Sequence, residues 1–212
     1  MGSTERAADD RNRREMPGEG LLSAFKNRIL QSLARSMPGA FTFRVWAHRL
    51  RGVSIGNGVH IGPDVMIDTA YPQWVSIGSN VQLGTRCLIL AHVHTLPPRR
   101  SELENYVSVL IEDDAYVGAA SVILPNVHIG RGAVVTAGSV VTHSVPAMVM
   151  VQGNPAEPVA RCGVPLTWDT PLKVFYAKLK PLDRNKSAVI ANSLSAHHNG
   201  ASPATINHDG DD

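Results

Sequence analysis

The sequence predicts a mainly β protein: a solenoid of triangular cross-section with about four coils, preceded by helices and followed by a flexible C-terminal tail. Three observations predict it. Aliphatic residues recur every six positions through the middle of the chain. A second small or apolar residue follows most of them at a fixed offset, from Val59 to Val145. Aromatic residues make up only 5% of the chain, so its core must be narrow and aliphatic.

The first phase is regular. Ile55, Ile61 and Ile67 are six apart, as are Ile77, Leu83 and Ile89. Ile111, Val117 and Ile123 repeat the step, and Ile129, Val135 and Val141 close it. A lone strand has period two and a helix 3.6, so period six means a short strand and a turn, repeated. One such unit cannot bury its aliphatic residue alone and must stack on its neighbours. Three units make one triangular coil of eighteen residues. Two interruptions break the count: four extra residues between Ile67 and Ile77, and sixteen between Ile89 and Ile111. Gly56, Gly62, Gly78 and Gly84, with Asn57 and Asn80, are read as corner residues, where positive φ is needed.

The rows VSIGNGVHIGPDVMI, VSIGSNVQLGTRCLI and VLIEDDAYVGAASVILPNVHIGRGAVVTAGSVVTHSVP resemble the hexapeptide-repeat acyltransferases. The closing VQGNPAEPVARCG is similar to the exit segment of the maltose/galactoside and colanic-acid type O-acetyltransferases. The resemblance covers roughly residues 52–165. It implies a left-handed parallel β-helix, acetyl coenzyme A as co-substrate, a hydroxyl of a saccharide or polysaccharide precursor as acceptor, and a homotrimer with the carrier in the groove between subunits.

The ends follow a different pattern. Residues 1–18 are charged and lack apolar periodicity, which predicts a disordered tail. A helical N-terminal cap is expected over 19–51. In its first part Leu21, Leu22, Phe25, Ile29, Leu33 and Met37 recur at helical steps. After Pro38-Gly39 a second short helix sets Phe43, Trp46 and Leu50 on one face. Arg44, His48, Arg49 and Arg51 form the other, read as a solvated face. The β-helix domain is placed at 52–155. A capping segment at 156–180 is expected to return Leu166, Trp168, Phe175 and Tyr176 onto the last coil. A second disordered tail spans 181–212.

Composition narrows the function classes. A net charge of +2 without a basic stripe argues against a nucleic-acid binder. Cys87 and Cys162 are too few for a disulfide scaffold or a four-cysteine zinc site. No apolar run reaches the roughly 18–20 residues of a membrane span, and no signal-peptide core opens the chain, so a cytoplasmic protein is expected.

Acyl transfer needs a base, and a regular prism has no pocket, so the base should sit where the repeat breaks. The longer interruption follows Ala91-His92-Val93-His94-Thr95. A neutral imidazole can accept a proton near pH 7 and return it to a leaving thiolate. The resemblance matches the spacing from Ile77 to His94 with the stretch ending in the family's catalytic histidine, so His94 is the expected general base. His92 is assigned to acceptor binding, with a strand-face residue bonded to a corner carbonyl as its bland alternative. Asp68, at the shorter interruption, is read as an orienter of the base or an acceptor ligand. Relatives carry an Asp where this chain has Ser79.

By resemblance Ala119 and Ala137 would give backbone contacts to the pantetheine arm, with Thr142 and His143 near the adenosine phosphate end. Relatives carry Lys at His143 and a basic residue near Glu157, which leaves Arg161 to take over phosphate recognition. No metal is expected, because the histidines lack ligand spacing. His60 and His128 follow the outward phase and are read as facing solvent. Three alternatives stay open: N-acetylation of an amino sugar or small amine, a non-catalytic β-helix, and a metal-dependent carbonic anhydrase of related fold, which needs three histidines at a metal-ligand spacing that His60, His92 and His94 do not obviously meet.

Overall fold

The computed structural model describes residues 21–92 and 107–183. The expected tail at 1–18, residues 184–212 of the other tail, and His94 with its neighbours 93–106 lie outside the described residues.

Each hexad forms a two- or three-residue strand and a corner. The first coil is β1 (Ser54–Ile55), β2 (His60–Ile61) and β3 (Met66–Ile67). The second is β4 (Val75–Ile77), β5 (Gln82–Leu83) and β6 (Leu88–Ile89). The third is β7 (Val109–Ile111), β8 (Tyr116–Val117) and β9 (Val122–Ile123). The fourth is β10 (Val127–Ile129), β11 (Val134–Val135) and β12 (Val140–Val141). Strands of equal position stack in parallel into three faces: β1-β4-β7-β10, then β2-β5-β8-β11, then β3-β6-β9-β12. Below these are the first, second and third faces. The register follows the aliphatic phase, with Ile55 over Ile77, Ile77 over Ile111 and Ile111 over Ile129.

The inward aliphatics are shut from water: Ile61, Ile67, Leu83, Ile89, Ile111, Ile123 and Ile129 are all fully buried. Removing one side chain, as in Ile111→Ala, would cost about 2–5 kcal/mol, because its neighbours are stacked backbones that cannot collapse into the hole.

The corners separate two roles that the sequence reading had joined. Positive φ falls at the third residue after the inward aliphatic: Gly58, Asp64, Asn80, Arg86, Asp114, Ala120 and Asn126. The glycines directly after the aliphatic do not need it. At Gly56 an added Cβ would lie 2.7 Å from the backbone of Gly78 and Ser79 in the next coil. Gly is required there by the approach of neighbouring coils.

Beyond the fourth coil, β13 (Val149–Gly153) and β14 (Ala156–Arg161) form an antiparallel hairpin that extends the second face. Helix α3 (Leu172–Lys178) seats Phe175 with Val134 and Cys162, and β15 (Lys180–Pro181) pairs with β14. The expected return of Trp168 onto the last coil is not what happens. The segment after β14 passes along the second face, where Leu166 accepts a bond from Gln82 Nε2, and Trp168 packs on Phe41 and His60 at the first coil. Tyr176 is exposed.

The N-terminal cap also departs from expectation. Helices α1 (Leu21–Ser36) and α2 (Phe43–Leu50) cover the first coil with their polar sides. Arg44, His48 and Arg51 are buried, whereas Trp46 and Leu50 are about half exposed. The reason is the open edge of the first coil, whose carbonyls have no preceding coil to bond. Arg44 Nη1 donates to Ile61 O, Arg49 Nη2 to Ile55 O and Gly56 O, and Gln31 Nε2 to Val65 O. Arg51 Nη2 donates to Ile67 O at 3.0 Å and Asp68 O at 2.6 Å. Apolar side chains cannot supply these donors, so the helices turn their polar faces in.

Candidate functional site

Both interruptions enter at one edge. Each follows a third-face strand, β3 or β6, and precedes a first-face strand, β4 or β7. Both interruptions therefore start from the edge between the third and first faces, in two successive coils. Asp68 and His92 stand there, just after β3 and β6.

Asp68 is fully buried and ionisable, so its carboxylate needs donors. It has four. Oδ1 accepts the amides of Ala70 and Tyr71 at 2.9 and 3.0 Å. Oδ2 accepts the amide of Ala91 at 2.8 Å and lies 2.6 Å from His92 Nδ1. Burial works against the charge, but the amides of Tyr71 and Ala91 and the bond to His92 outweigh it and hold the Asp68 pKa below its ordinary value. A lowered carboxylate pKa stabilises the fold above the ordinary carboxylate range, and that stability is lost as pH falls through it.

With Asp68 on Nδ1, neutral His92 carries its proton there and directs the Nε2 lone pair away from the carboxylate. The imidazole side chain is 31% exposed, so the pair joins a buried anchor to a ring that solutes can reach. The four-residue interruption supplies the wall. Tyr71 meets the His92 ring edge to face at 5.1 Å, and Trp74 stacks on Tyr71 at 4.0 Å. Tyr71 and Trp74 were missed in the sequence. Two rings in a short insertion of an aromatic-poor chain were the available signal.

His92 bonds a carboxylate, which corrects the corner carbonyl offered as its bland alternative. His60 is not simply solvent-facing: it sits between Phe41 and Trp168 on the second face, away from His92. Burial and the nearby Arg44 lower its pKa. His128 is exposed and pairs with Glu112 Oε1 at 2.9 Å. Among the described residues no group of three His, Cys, Asp or Glu side chains has metal-binding geometry.

The expected carrier residues divide between places. Thr142 and His143 follow β12 on the same edge as His92, with Thr142 Oγ1 2.8 Å from His143 Nδ1. They stand two coils on, about 10 Å along the axis. Ala119 and Ala137 stack on the edge between the second and third faces, where Gly138 N donates to Ala119 O. Both alanines are exposed, and a Cβ at Gly138 would meet nothing within 4 Å, so this edge is an open ledge of small residues. Arg161 is the last residue of β14, within the hairpin opposite Val149, on neither edge. Among the described residues, then, the expected site residues fall into three separate places: the Asp68–His92 pair, the Thr142–His143 pair and the Ala119–Ala137 ledge.

Comparison with known proteins gives concordant matches. A family model described as bacterial transferase hexapeptide (six repeats) matches residues 108–143. Over 136 residues the chain is 37% identical to YvoF of Bacillus subtilis strain 168, provisionally named an acetyltransferase, covering 63% of this chain and 75% of that protein. Over 80 residues it is 41% identical to a 2,3,4,5-tetrahydropyridine-2,6-dicarboxylate N-acetyltransferase of Staphylococcus aureus, covering 38% of this chain but only 30% of that enzyme. The crystal structure of a hexapeptide-repeat acetyltransferase of Vibrio cholerae, complexed with acetyl coenzyme A, aligns with a TM-score of 0.53 at 23% identity. That alignment covers 66% of this chain and 87% of the other. The solenoid is thus a left-handed parallel β-helix.

Proposed function

Because this chain belongs to the hexapeptide-repeat acyltransferase family, we propose that it moves an acetyl group from acetyl coenzyme A to a hydroxyl of a saccharide or polysaccharide precursor, with His92 as general base. The single observation that carries the choice of base is the 2.6 Å contact between Asp68 Oδ2 and His92 Nδ1.

The chemistry follows from that contact. His92 Nε2 takes the acceptor's proton as its oxygen bonds to the thioester carbonyl carbon. The imidazolium that forms is stabilised by the Asp68 carboxylate. The carbon–sulfur bond then breaks, and the proton passes from Nε2 to the departing thiolate. The small-residue ledge at Ala119 and Ala137 suits the thin pantetheine arm. Thr142, His143 and Arg161 are assigned to the nucleotide end. A homotrimer would set one chain's ledge against the edge of the next that carries His92.

A second reading keeps His94 as the base, supported by its spacing from Ile77 in the resemblance. Steady-state acetyl transfer across hexoses, amino sugars and amines decides between the readings. His92→Ala should lower turnover by about 10²–10⁴-fold at saturating donor, and His94→Ala by clearly less. The reverse order returns the base to His94. Preference for an amine over every hydroxyl would make the protein an N-acetyltransferase.

A further inference from the structure

We propose that the outward faces of α1 and α2, at the base of the solenoid, form a docking surface for an anionic lipid bilayer. The proposal does not rest on the acetyl-transfer reading. It rests on the way the two helices are turned.

Along α1 the residues that face the protein are Asn27, Gln31 and Ala34. Leu22, Phe25, Ile29, Leu33 and then Met37 follow one another at three- and four-residue steps, on the side roughly opposite. They are exposed, Leu22 by 88% and Phe25 by 67%. Helix α2 packs against α1 and adds Trp46 and Leu50 to the exposed apolar surface. An apolar surface of this extent on a folded chain marks an interaction site. It is also a direct consequence of the fold, since the polar faces are committed to the first coil's carbonyls.

Charge names the partner. From Leu21 to Pro63 the chain has no acidic residue. Most of its cations are committed inward or to a neighbour: Arg44, Arg49 and Arg51 on carbonyls, and Arg35 on Asp64 at 3.1 Å. Lys26 and Arg28 remain exposed, one on each flank of the apolar stripe. An apolar stripe between two long cationic side chains matches a bilayer surface, with the side chains reaching back to anionic headgroups. In the proposed homotrimer the prisms would lie side by side with their bases free, so a second copy is not the expected cover. Helix α1, with 16 residues, would lie in the interface and not cross it.

Sedimentation of the full chain with vesicles tests this, using phosphatidylcholine alone and phosphatidylcholine mixed with phosphatidylglycerol. Partition onto the mixed vesicles should be about twenty-five-fold stronger, about fivefold for each of Lys26 and Arg28, and should fall with added salt. The double variant Ile29→Glu, Leu33→Glu should lose binding to both vesicle types while keeping its thermal transition and its sedimentation mass. Lys26→Glu, Arg28→Glu should lose only the preference for anionic vesicles. Failure of the unaltered chain to bind mixed vesicles at low salt overturns the proposal, and so does equal binding to both types. A fall in assembly mass in Ile29→Glu, Leu33→Glu also overturns it, because a second copy then covers this face.

Discussion

Asp68→Asn is the substitution that asks most of the proposed site, because it keeps shape and removes only charge. In the native pair the carboxylate accepts from Ala70, Tyr71, Ala91 and His92. An asparagine placing its oxygen toward Ala70 and Tyr71 keeps two of these bonds. Its NH₂ then faces the Ala91 amide and His92 Nδ1, both donors in the native state. The Ala91 amide, buried, loses its partner at a cost of about 1–3 kcal/mol. His92 can escape the second clash by moving its proton to Nε2 and accepting at Nδ1. That tautomer has no lone pair on the side open to acceptor, so the base is disabled while the ring stays in place. The equivalent exchange in a serine protease triad costs about 10⁴ in turnover, and a loss of about 10²–10⁴ is expected here. The assay is steady-state acetyl transfer at saturating donor, with denaturant unfolding on the same samples. Nitrogen chemical shifts of His92 should report protonation moving from Nδ1 to Nε2. Turnover within about threefold of the unaltered chain, with the tautomer changed, would refute the reasoning.

Three further predictions concern the cap and the assembly. Arg51→Met should remove about 4 kcal/mol or more of stability, measured by denaturant unfolding, because it strips donors from the buried Ile67 and Asp68 carbonyls, Gln31 and His48; a loss under about 1 kcal/mol would contradict the capping account. Burial, with Arg51 beside it, pushes the His48 pKa down to about 3, so the unfolded chain binds the proton first, and stability present above about pH 6.5 should fall by about 4–5 kcal/mol as pH drops toward 3. His48→Asn, whose oxygen can still accept from Arg51, should flatten that slope, and an unchanged slope would assign it to other groups. Sedimentation equilibrium should return three times the chain mass, and a monomer at micromolar concentration would remove the proposed shared groove.

The solenoid was legible because its signal is one-dimensional. A residue that must point inward every sixth position leaves that period in the sequence, and Ile55 through Val141 kept it across both interruptions. The paired site was only partly legible. Asp68 and Tyr71 come from the shorter insertion and His92 from the threshold of the longer one, 24 residues after Asp68. Counting within one coil does not reveal that both insertions leave the prism at the same edge. That follows once each is referred to the strand before it, β3 and β6, which stack directly with Ile67 on Ile89. The carboxylate then lies one coil below the imidazole.

The helices failed for a different reason, and the failure locates the physics. Helical periodicity separates an apolar face from a polar face but does not say which one meets the protein. The usual answer, apolar inward, holds when the neighbour is an apolar face. Here the neighbour of α1 and α2 is the end of a β-solenoid, a row of carbonyl oxygens from Ile55, Gly56, Ile61, Val65, Ile67 and Asp68. A buried carbonyl without a donor costs about 1–3 kcal/mol, and a row of them outweighs the gain from burying a few leucines. Arginine is suited to this edge, since one guanidinium reaches two successive carbonyls, as Arg51 does at Ile67 and Asp68. Its second contact is to the backbone of the residue whose side chain anchors His92. The group that closes the solenoid is thereby in contact with the group that orients the proposed base, so loosening the cap should disturb catalysis before it unfolds the coils.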